Sequence, residues 1–205
     1  MEVLVSEDIW SFDLQAALSD ISEQRRQQAL KFKHEQGRRL SVLAYQLLKQ
    51  ALCKEYGITE NPIFEYSEPG KPSIIGHPDI CFNLSHCREA VACVVSNDPV
   101  GIDVETIRPY KDSLARYTMN GDELREITAS NDPAATFTRF WTMKEATLKL
   151  LGTGISTDMK AVIDPVLYRY TTVCRQRYIY TVCESLNNSR SIILSKDSFL
   201  VCGPS

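Results

Sequence analysis

The chain has 205 residues and a formal net charge of −3, with 43% hydrophobic and 24% charged residues. This balance is typical of a globular protein with one large domain or two small lobes, and the negative charge argues against nucleic acid as a partner. No apolar run approaches the roughly 18–20 residues of a membrane-spanning helix, and the acidic N-terminus is unlike a signal peptide, so we expect a cytoplasmic protein without membrane contacts.

The first half predicts two helices among several strands. Ser22 is placed to cap a short helix that runs to about Phe32. A 3.6-residue apolar period then predicts a longer helix over about 35–55, which Gly57 ends. Strands are predicted over 1–5, 80–84, 90–96 and 100–105.

A basic block overlaps these two helices. Between Arg25 and Lys54 the sequence has eight basic residues and one acidic residue, Glu35. Such a block is compatible with a solvated helix face, with a site for a small polyanion, or with a surface for an acidic partner.

The second half begins with polar helices predicted over 112–117 and 122–129. A stronger helix follows, with Asn131 or Asp132 as its cap, Pro133 in its first turn and Gly152 as its end. The tail predicts strands over 161–163, 168–174, 178–183, 191–194 and 199–202. Because strands and helices do not alternate regularly, the sequence predicts an α+β fold.

The strand over 100–105 has a chemical pattern. Side chains alternate along a strand, so Asp103 and Glu105 share one face, about 7 Å apart, while three apolar residues share the other. Two such carboxylates suit a hard cation such as Mg²⁺. The alternative is a half-exposed strand with an acidic face in water.

The strong helix offers a matching face. Trp141, Glu145 and Lys149 are four residues apart and lie on one side. Glu145 and Lys149 could form a helical ion pair worth about 0.3 kcal/mol. They could instead supply a third carboxylate and a cation beside a metal-bound pyrophosphate.

Four blocks occur in a distinctive order. Gly70-Lys71-Pro72 and Phe82-Asn83-Leu84-Ser85-His86 precede GIDVE at 101–105 and FWTMKEATLK at 140–149. Together they resemble the 4′-phosphopantetheinyl transferase superfamily, and their presence in one chain resembles its surfactin-synthetase-activating (Sfp) type. The resemblance implies two similar α+β lobes that form an intramolecular pseudo-dimer with the active site between them. Residues 1–98 would form the N-terminal lobe with the coenzyme A nucleotide contacts, and 99–205 the C-terminal lobe with the metal-binding and catalytic motifs.

The resemblance also implies an activity. The enzyme would be a monomer that transfers 4′-phosphopantetheine from coenzyme A to a serine of an apo acyl or peptidyl carrier protein, with Mg²⁺, and releases 3′,5′-ADP. Which carrier it modifies stays open. Rival readings are a metal-dependent nucleotide phosphohydrolase and a non-catalytic module that binds coenzyme A or a carrier.

Site residues carry over from the same blocks. Metal ligands would be Asp103, Glu105 and Glu145. Glu145 would also be a candidate base, and Lys149 would neutralise the pyrophosphate during catalysis, while Lys144 supports the site or forms an ion pair. Coenzyme A would contact Lys71, Pro72, Ser85, His86 and Lys149 of these blocks, and also Arg25 and Arg39, which fit basic positions of the first lobe outside them. Arg38 replaces Arg39 if the match shifts by one residue, and Gln28 stands where relatives often have a second lysine.

The segment between Glu105 and Phe137 is expected at the rim of the site. We predict that Leu124 and Ile127 are core residues, and that Tyr117 and Met119 form an exposed apolar patch that docks the carrier. Arg116 and Arg125 would steer an acidic carrier towards it.

Overall fold

The computed structural model describes residues 1–66, 70–153 and 158–186. Its strands are β1 (Glu2–Ser6), β2 (Phe64–Tyr66), β3 (Pro72–Ile74), β4 (Cys81–His86), β5 (Val91–Ser96), β6 (Val100–Thr106), β7 (Tyr168–Cys174) and β8 (Tyr178–Ser185). Its α-helices are α1 (Leu14–Ser19), α2 (Glu23–Leu30), α3 (Glu35–Tyr56), α4 (Asp112–Thr118), α5 (Gly121–Ala129) and α6 (Pro133–Leu151). Within these ranges no helix is both long and apolar enough to span a lipid bilayer.

The helix boundaries follow local capping chemistry. The Ser22 hydroxyl accepts a hydrogen bond from the Arg25 amide (3.3 Å) at the start of α2, and the Asp132 carboxylate accepts one from the Ala135 amide (3.0 Å) at the start of α6. Gly57 and Gly152 end α3 and α6 with φ of 68° and 70°, a left-handed conformation that favours glycine. These predicted boundaries are confirmed.

In the part of the chain that the structure describes, the strands form three antiparallel sheets. β5 lies between β1 and β4 in the first sheet, β8 lies between β6 and β7 in the second, and β2 pairs with β3. The fold therefore has the predicted mixture of helices and strands. The strand predicted over 161–163 is wrong, because a 3-10 turn at Met159–Ala161 stands there, and those predicted over 191–194 and 199–202 lie outside the described residues.

A side-chain seam joins the first two sheets. β4 is an edge of the first sheet and β6 is an edge of the second. The Asn83 side-chain oxygen accepts a hydrogen bond from the Ile102 amide (3.4 Å), and the Ser85 hydroxyl oxygen accepts one from the Val104 amide (3.2 Å). Two side chains of β4 thus satisfy edge amides that a neighbouring strand would otherwise bind.

Both faces of β6 are covered. Ile102 and Val104 belong to a buried cluster that includes Ala92 and Val94 of β5, and α6 packs against the opposite face. Asp103 on that opposite face is only 4% exposed. The alternative of a half-exposed acidic face is therefore wrong for Asp103, whereas Glu105, two residues further along, is half-buried. Alternation along a strand does not reveal what covers each face.

The approach of α6 to β6 depends on Gly101. A Cβ atom at this position would overlap the carbonyl oxygen of Ala146 and lie 2.7 Å from the Leu150 amide nitrogen. Both are backbone atoms of α6, so they cannot move aside as a flexible side chain would. Gly101 therefore sets the distance between the strand and the helix.

We expect Gly101→Ala to lower the free energy of unfolding by about 3 kcal/mol or more, because the helix must be displaced to make room. Urea denaturation followed by circular dichroism measures this change. Gly121→Ala is the matched control, since a Cβ there would meet only the end of the Arg125 side chain at 3.5 Å. An equal, small effect of both substitutions would contradict the close contact.

Candidate active site

Three elements converge on one buried carboxylate. Asp103 extends from β6, Ser85 from β4 and Lys149 from the last turn of α6. The Asp103 Oδ1 atom accepts hydrogen bonds from the Ser85 hydroxyl (2.8 Å) and from the Lys149 ammonium group (2.6 Å). Its Oδ2 atom is buried and accepts no hydrogen bond from the described residues.

Lys149 reaches across to the sheet. Its ammonium group forms an ion pair with Asp103 and also donates to the Ser85 hydroxyl (2.8 Å). In the described part of the chain Lys149 forms no ion pair with Glu145, so the helical pair considered from the sequence does not form. The lysine instead compensates the charge of a carboxylate on another element.

Two further carboxylates lie within electrostatic reach of Asp103. Burial raises the pKa of Glu145, and the negative charge of Asp103 raises it further. The same two causes raise the pKa of Glu105, partly offset by the charge of Arg108 and by a side-chain hydrogen bond from Trp141. Negative charge therefore accumulates where β6 faces α6.

The carboxylate side chains of this acidic centre are of the chemical type that binds a hard cation. Across residues 1–66, 70–153 and 158–186 no three His, Cys, Asp or Glu side chains form a ready metal cluster, so Asp103, Glu105 and Glu145 are not preassembled around one point. The buried Asp103 Oδ2 nevertheless lacks a donor, and an unsatisfied buried oxygen is costly unless a ligand or ion binds it. Carboxylate oxygens are the ligands that Mg²⁺ prefers.

A positive corner lies beside this acidic centre. His86 follows Ser85 on β4, and its pKa is lowered first by partial loss of water and then by the positive charges of Lys149 and Arg25. Burial also lowers the pKa of Arg25, whose Nη2 donates to the Ser41 carbonyl oxygen (3.0 Å) while its buried Nε has no hydrogen-bond partner among the described residues. The structure thus brings Arg25 and Lys149 within electrostatic reach of His86.

The other predicted nucleotide contacts lie in different surroundings. The Lys71 ammonium group donates to the Leu150 carbonyl oxygen at the end of α6 (2.7 Å), and burial lowers its pKa. Pro72 begins β3 directly after it and is half-buried. Arg39 instead binds the Glu35 carboxylate and the Phe12 carbonyl oxygen, each at 2.8 Å. Its role at coenzyme A stays a prediction.

Lys144 forms the ion pair that was one of its two predicted roles. It is completely buried, and its ammonium group donates to the Glu123 carboxylate (2.8 Å) and to the Met159 carbonyl oxygen (2.7 Å). The pair ties α6 to the start of α5 next to Glu145. The sequence around Lys144 does not indicate which acidic residue will form the ion pair with it.

Hydroxyl contacts that the sequence analysis missed also hold α6 on the second sheet. The Thr142 hydroxyl is 2.8 Å from that of Thr181, which is 2.9 Å from the hydroxyl of Thr172. Thr181 is the cross-strand partner of Asp103. The signal is weak, because buried threonines are common in strands.

A groove of about 710 Å³ opens beside Glu105, between the end of β6 and helices α4 and α6. Arg108, Lys111, Tyr117 and Trp141 are among its lining residues. Tyr117 is 75% exposed, as predicted.

Met119 does not belong to this surface. It is fully buried in a cluster with Ala115 and Ile127, against which Leu124 packs. The prediction that Met119 is exposed is wrong, because methionine is as common in cores as at interfaces. The prediction that Ile127 is a core residue is confirmed, whereas Leu124 is only half-buried at the edge of this cluster.

The family model and the similar proteins found by comparison agree with each other. Residues 99–183 match the family described as the 4′-phosphopantetheinyl transferase superfamily. The chain is 30% identical over 145 residues to Sfp, a 4′-phosphopantetheinyl transferase of Bacillus subtilis strain 168, covering 69% of this chain and 65% of that protein. It is 34% identical over 144 residues to the transferase psf-1 of Bacillus pumilus, covering 69% and 62%. The chain thus spans somewhat less than two thirds of the length of these relatives.

We expect Asp103→Asn to lower the pKa values of Glu105 and Glu145, because removal of a neighbouring negative charge makes their ionisation easier. Both values should stay above that of an ordinary glutamate, since burial, the larger cause, remains. Titration of ¹³C-labelled glutamate carboxyl groups by NMR in metal-free buffer measures the shifts. Asp98→Asn, in an exposed turn, is the control. Unchanged values in Asp103→Asn would mean that the carboxylates do not interact.

Proposed function

Because residues 99–183 match the 4′-phosphopantetheinyl transferase superfamily, we propose that this protein transfers 4′-phosphopantetheine from coenzyme A to a serine of an apo acyl or peptidyl carrier protein. The observation that carries the proposal is the meeting of Asp103, Lys149 and Ser85 beside two more carboxylates. The serine oxygen would form a bond to the phosphorus that carries pantetheine, and the bond from that phosphorus to the bridging oxygen would break. 3′,5′-ADP would leave with the bonding electrons.

Asp103, Glu105 and Glu145 are proposed to hold Mg²⁺. When bound, the ion would neutralise the charge that develops on the pyrophosphate. The unpartnered Asp103 Oδ2 and the shared negative charge of the three carboxylates support this assignment. Asp103 would contribute the oxygen that its other partners leave free.

Glu145 and Lys149 are proposed to act on the reacting groups. The raised pKa of Glu145 makes its carboxylate a stronger base than an ordinary glutamate, which suits it to take the serine proton. Lys149 is 29% exposed at its side chain and lies at the border of the acidic centre, where its charge would neutralise the pyrophosphate and the 5′-phosphate of the departing 3′,5′-ADP. Glu145 thus has two proposed duties, as base and as ligand.

The positive corner is proposed to receive the nucleotide end of coenzyme A. His86 and Arg25 would face the 3′-phosphate, which is supported by the effect of Arg25 on the pKa of His86. Lys71 and Pro72 would lie against the adenine nucleotide, next to the end of α6. Arg39 would join them through guanidinium N–H groups that its contacts with Glu35 and Phe12 do not use.

We also propose that residues 1–98 and 99–205 are the two lobes of an intramolecular pseudo-dimer, with the active site between them in a monomer. Within the described residues, each range contributes one three-stranded antiparallel sheet and one long helix that packs on it. The seam between β4 and β6 is where residues of both ranges meet.

The groove beside Glu105 is the proposed place for the carrier. Its rim has basic residues, Arg108 and Lys111, and the exposed ring of Tyr117. Carriers are acidic proteins, so charge complementarity would orient the carrier serine towards Glu145.

The direct test is mass spectrometry of apo carriers incubated with coenzyme A and Mg²⁺. The wild-type protein should add one phosphopantetheine to a carrier, and Asp103→Ala should lower the rate on the order of 10³-fold while circular dichroism shows an intact fold. Asp98→Ala, in an exposed turn, is the control and should keep full activity. Near wild-type transfer by Asp103→Ala at saturating Mg²⁺ would contradict the metal assignment. Consumption of coenzyme A without a carrier would indicate a phosphohydrolase.

The groove assignment predicts different outcomes for two nearby residues. Tyr117→Ala should raise the KM for the carrier by an amount equivalent to about 1 kcal/mol, with the KM for coenzyme A unchanged, because the ring is exposed at the rim. Met119→Ala should instead lower the free energy of unfolding by about 2–5 kcal/mol, because it removes a buried side chain. Steady-state kinetics and urea denaturation separate the two effects. A matched rise of both KM values in Tyr117→Ala would refute the docking role.

A further inference from the structure

The hydroxyl group of Ser85 lies where the first sheet, the second sheet and α6 meet. Ser85 is 7% exposed on β4, and its oxygen is bonded to β6 and to α6 at once. From the sequence this residue was expected to contact coenzyme A together with His86. Its surroundings indicate a different role.

All the hydrogen-bonding capacity of this hydroxyl is already used. A serine hydroxyl has one proton to donate and two lone pairs to accept with. Ser85 donates its proton to Asp103 Oδ1 (2.8 Å) and accepts from the Val104 amide (3.2 Å) and from the Lys149 ammonium group (2.8 Å). A phosphate oxygen is an acceptor, so Ser85 could bind it only by withdrawing its proton from Asp103.

These contacts determine how Asp103 is presented. With Oδ1 held by Ser85 and Lys149, the carboxylate plane is fixed and Oδ2 remains the buried atom without a hydrogen-bond donor in the described chain. A freely rotating carboxylate would exchange the two oxygens. The bond from the Val104 amide anchors the Ser85 oxygen itself to the strand that carries Asp103.

We infer that Ser85 is a positioning residue, which orients Asp103 and Lys149 so that the carboxylate offers one oxygen to a divalent cation, and that it is not a ligand of the coenzyme A 3′-phosphate. The inference rests on the proposed transferase function. It goes beyond that function because it assigns to Ser85 the role of orienting Asp103. In metal sites, a residue that hydrogen-bonds to a metal ligand and so holds it in place typically contributes about 10–100-fold to metal affinity or activity.

Asn83 provides a matched control on the same strand. It is 9% exposed, and its side-chain oxygen accepts from the Ile102 amide, two residues before Val104. Asn83→Ala therefore removes the same kind of seam contact as Ser85→Ala, but this contact leads to the Ile102 backbone rather than to Asp103. Any effect that is specific to Ser85→Ala must come through Asp103 or Lys149.

The experiment compares wild type, Ser85→Ala, Ser85→Thr and Asn83→Ala as full chains. Isothermal titration calorimetry with Mn²⁺ measures cation affinity, and kinetics with coenzyme A and 3′-dephospho-coenzyme A measure kcat and KM. Ser85→Ala should weaken Mn²⁺ binding and lower kcat by about 10-fold or more each, with an unchanged ratio of the two KM values. Ser85→Thr, which keeps the hydroxyl, should restore most of both, and Asn83→Ala should leave Mn²⁺ affinity within about twofold of wild type.

The double variant that combines Ser85→Ala with Asp103→Asn gives a second test, again by its affinity for Mn²⁺. If Ser85 acts through Asp103, Ser85→Ala should cause no further loss of Mn²⁺ affinity in that background. A selective rise of the KM for coenzyme A over its dephospho form, with Mn²⁺ affinity unchanged, would overturn the inference in favour of a nucleotide contact. Equal losses of Mn²⁺ affinity in Ser85→Ala and Asn83→Ala would overturn it in favour of the seam alone. Wild-type protein that binds Mn²⁺ but modifies no carrier would refute the proposed function, and the Mn²⁺ comparison would still decide the role of Ser85.

Discussion

A charged carboxylate buried in a protein is costly unless its partners are fixed in place. Asp103 is 4% exposed, and the groups that compensate it come from β4 and α6, while β6 carries the carboxylate itself. These elements must therefore pack together before the site exists. Gly101 permits the approach of α6, and the seam of Asn83 and Ser85 holds β4 against β6. The fold and the site are consequences of the same contacts.

The acidic centre around Asp103 and the positive corner of Arg25, His86 and Lys149 carry opposite charges and lie side by side. Asp103 raises the pKa values of Glu105 and Glu145, whereas Lys149 and Arg25 lower that of His86. A ligand that combines a metal-bound diphosphate with a further phosphate matches this division, because the metal satisfies the acidic side and the extra phosphate the basic side. Coenzyme A has both groups, which accords with the proposed activity.

The sequence predicts what depends on local chemistry. The caps Ser22 and Asp132 and the glycine at 152 predicted helix boundaries, while α1, with only six residues, was missed because it is too short for a periodic pattern. What the sequence could not predict depends on packing between distant segments. The burial of Asp103 requires α6 as a cover, and the bonds of Ser85 require the register of β4 along β6. Met119 is buried whereas Tyr117, two residues earlier, is exposed, and this difference depends on the packing of the surrounding helices.

The central claim is that Asp103 presents Oδ2 to a divalent cation while Ser85 and Lys149 hold Oδ1. Anomalous diffraction from crystals grown with Mn²⁺ and coenzyme A tests it most directly. The account predicts an anomalous peak about 2.1 Å from Asp103 Oδ2, with a diphosphate oxygen among the other ligands and the Ser85 hydroxyl still bonded to Oδ1. A peak bound by other residues, or a Ser85 hydroxyl turned to a coenzyme A phosphate, would contradict it.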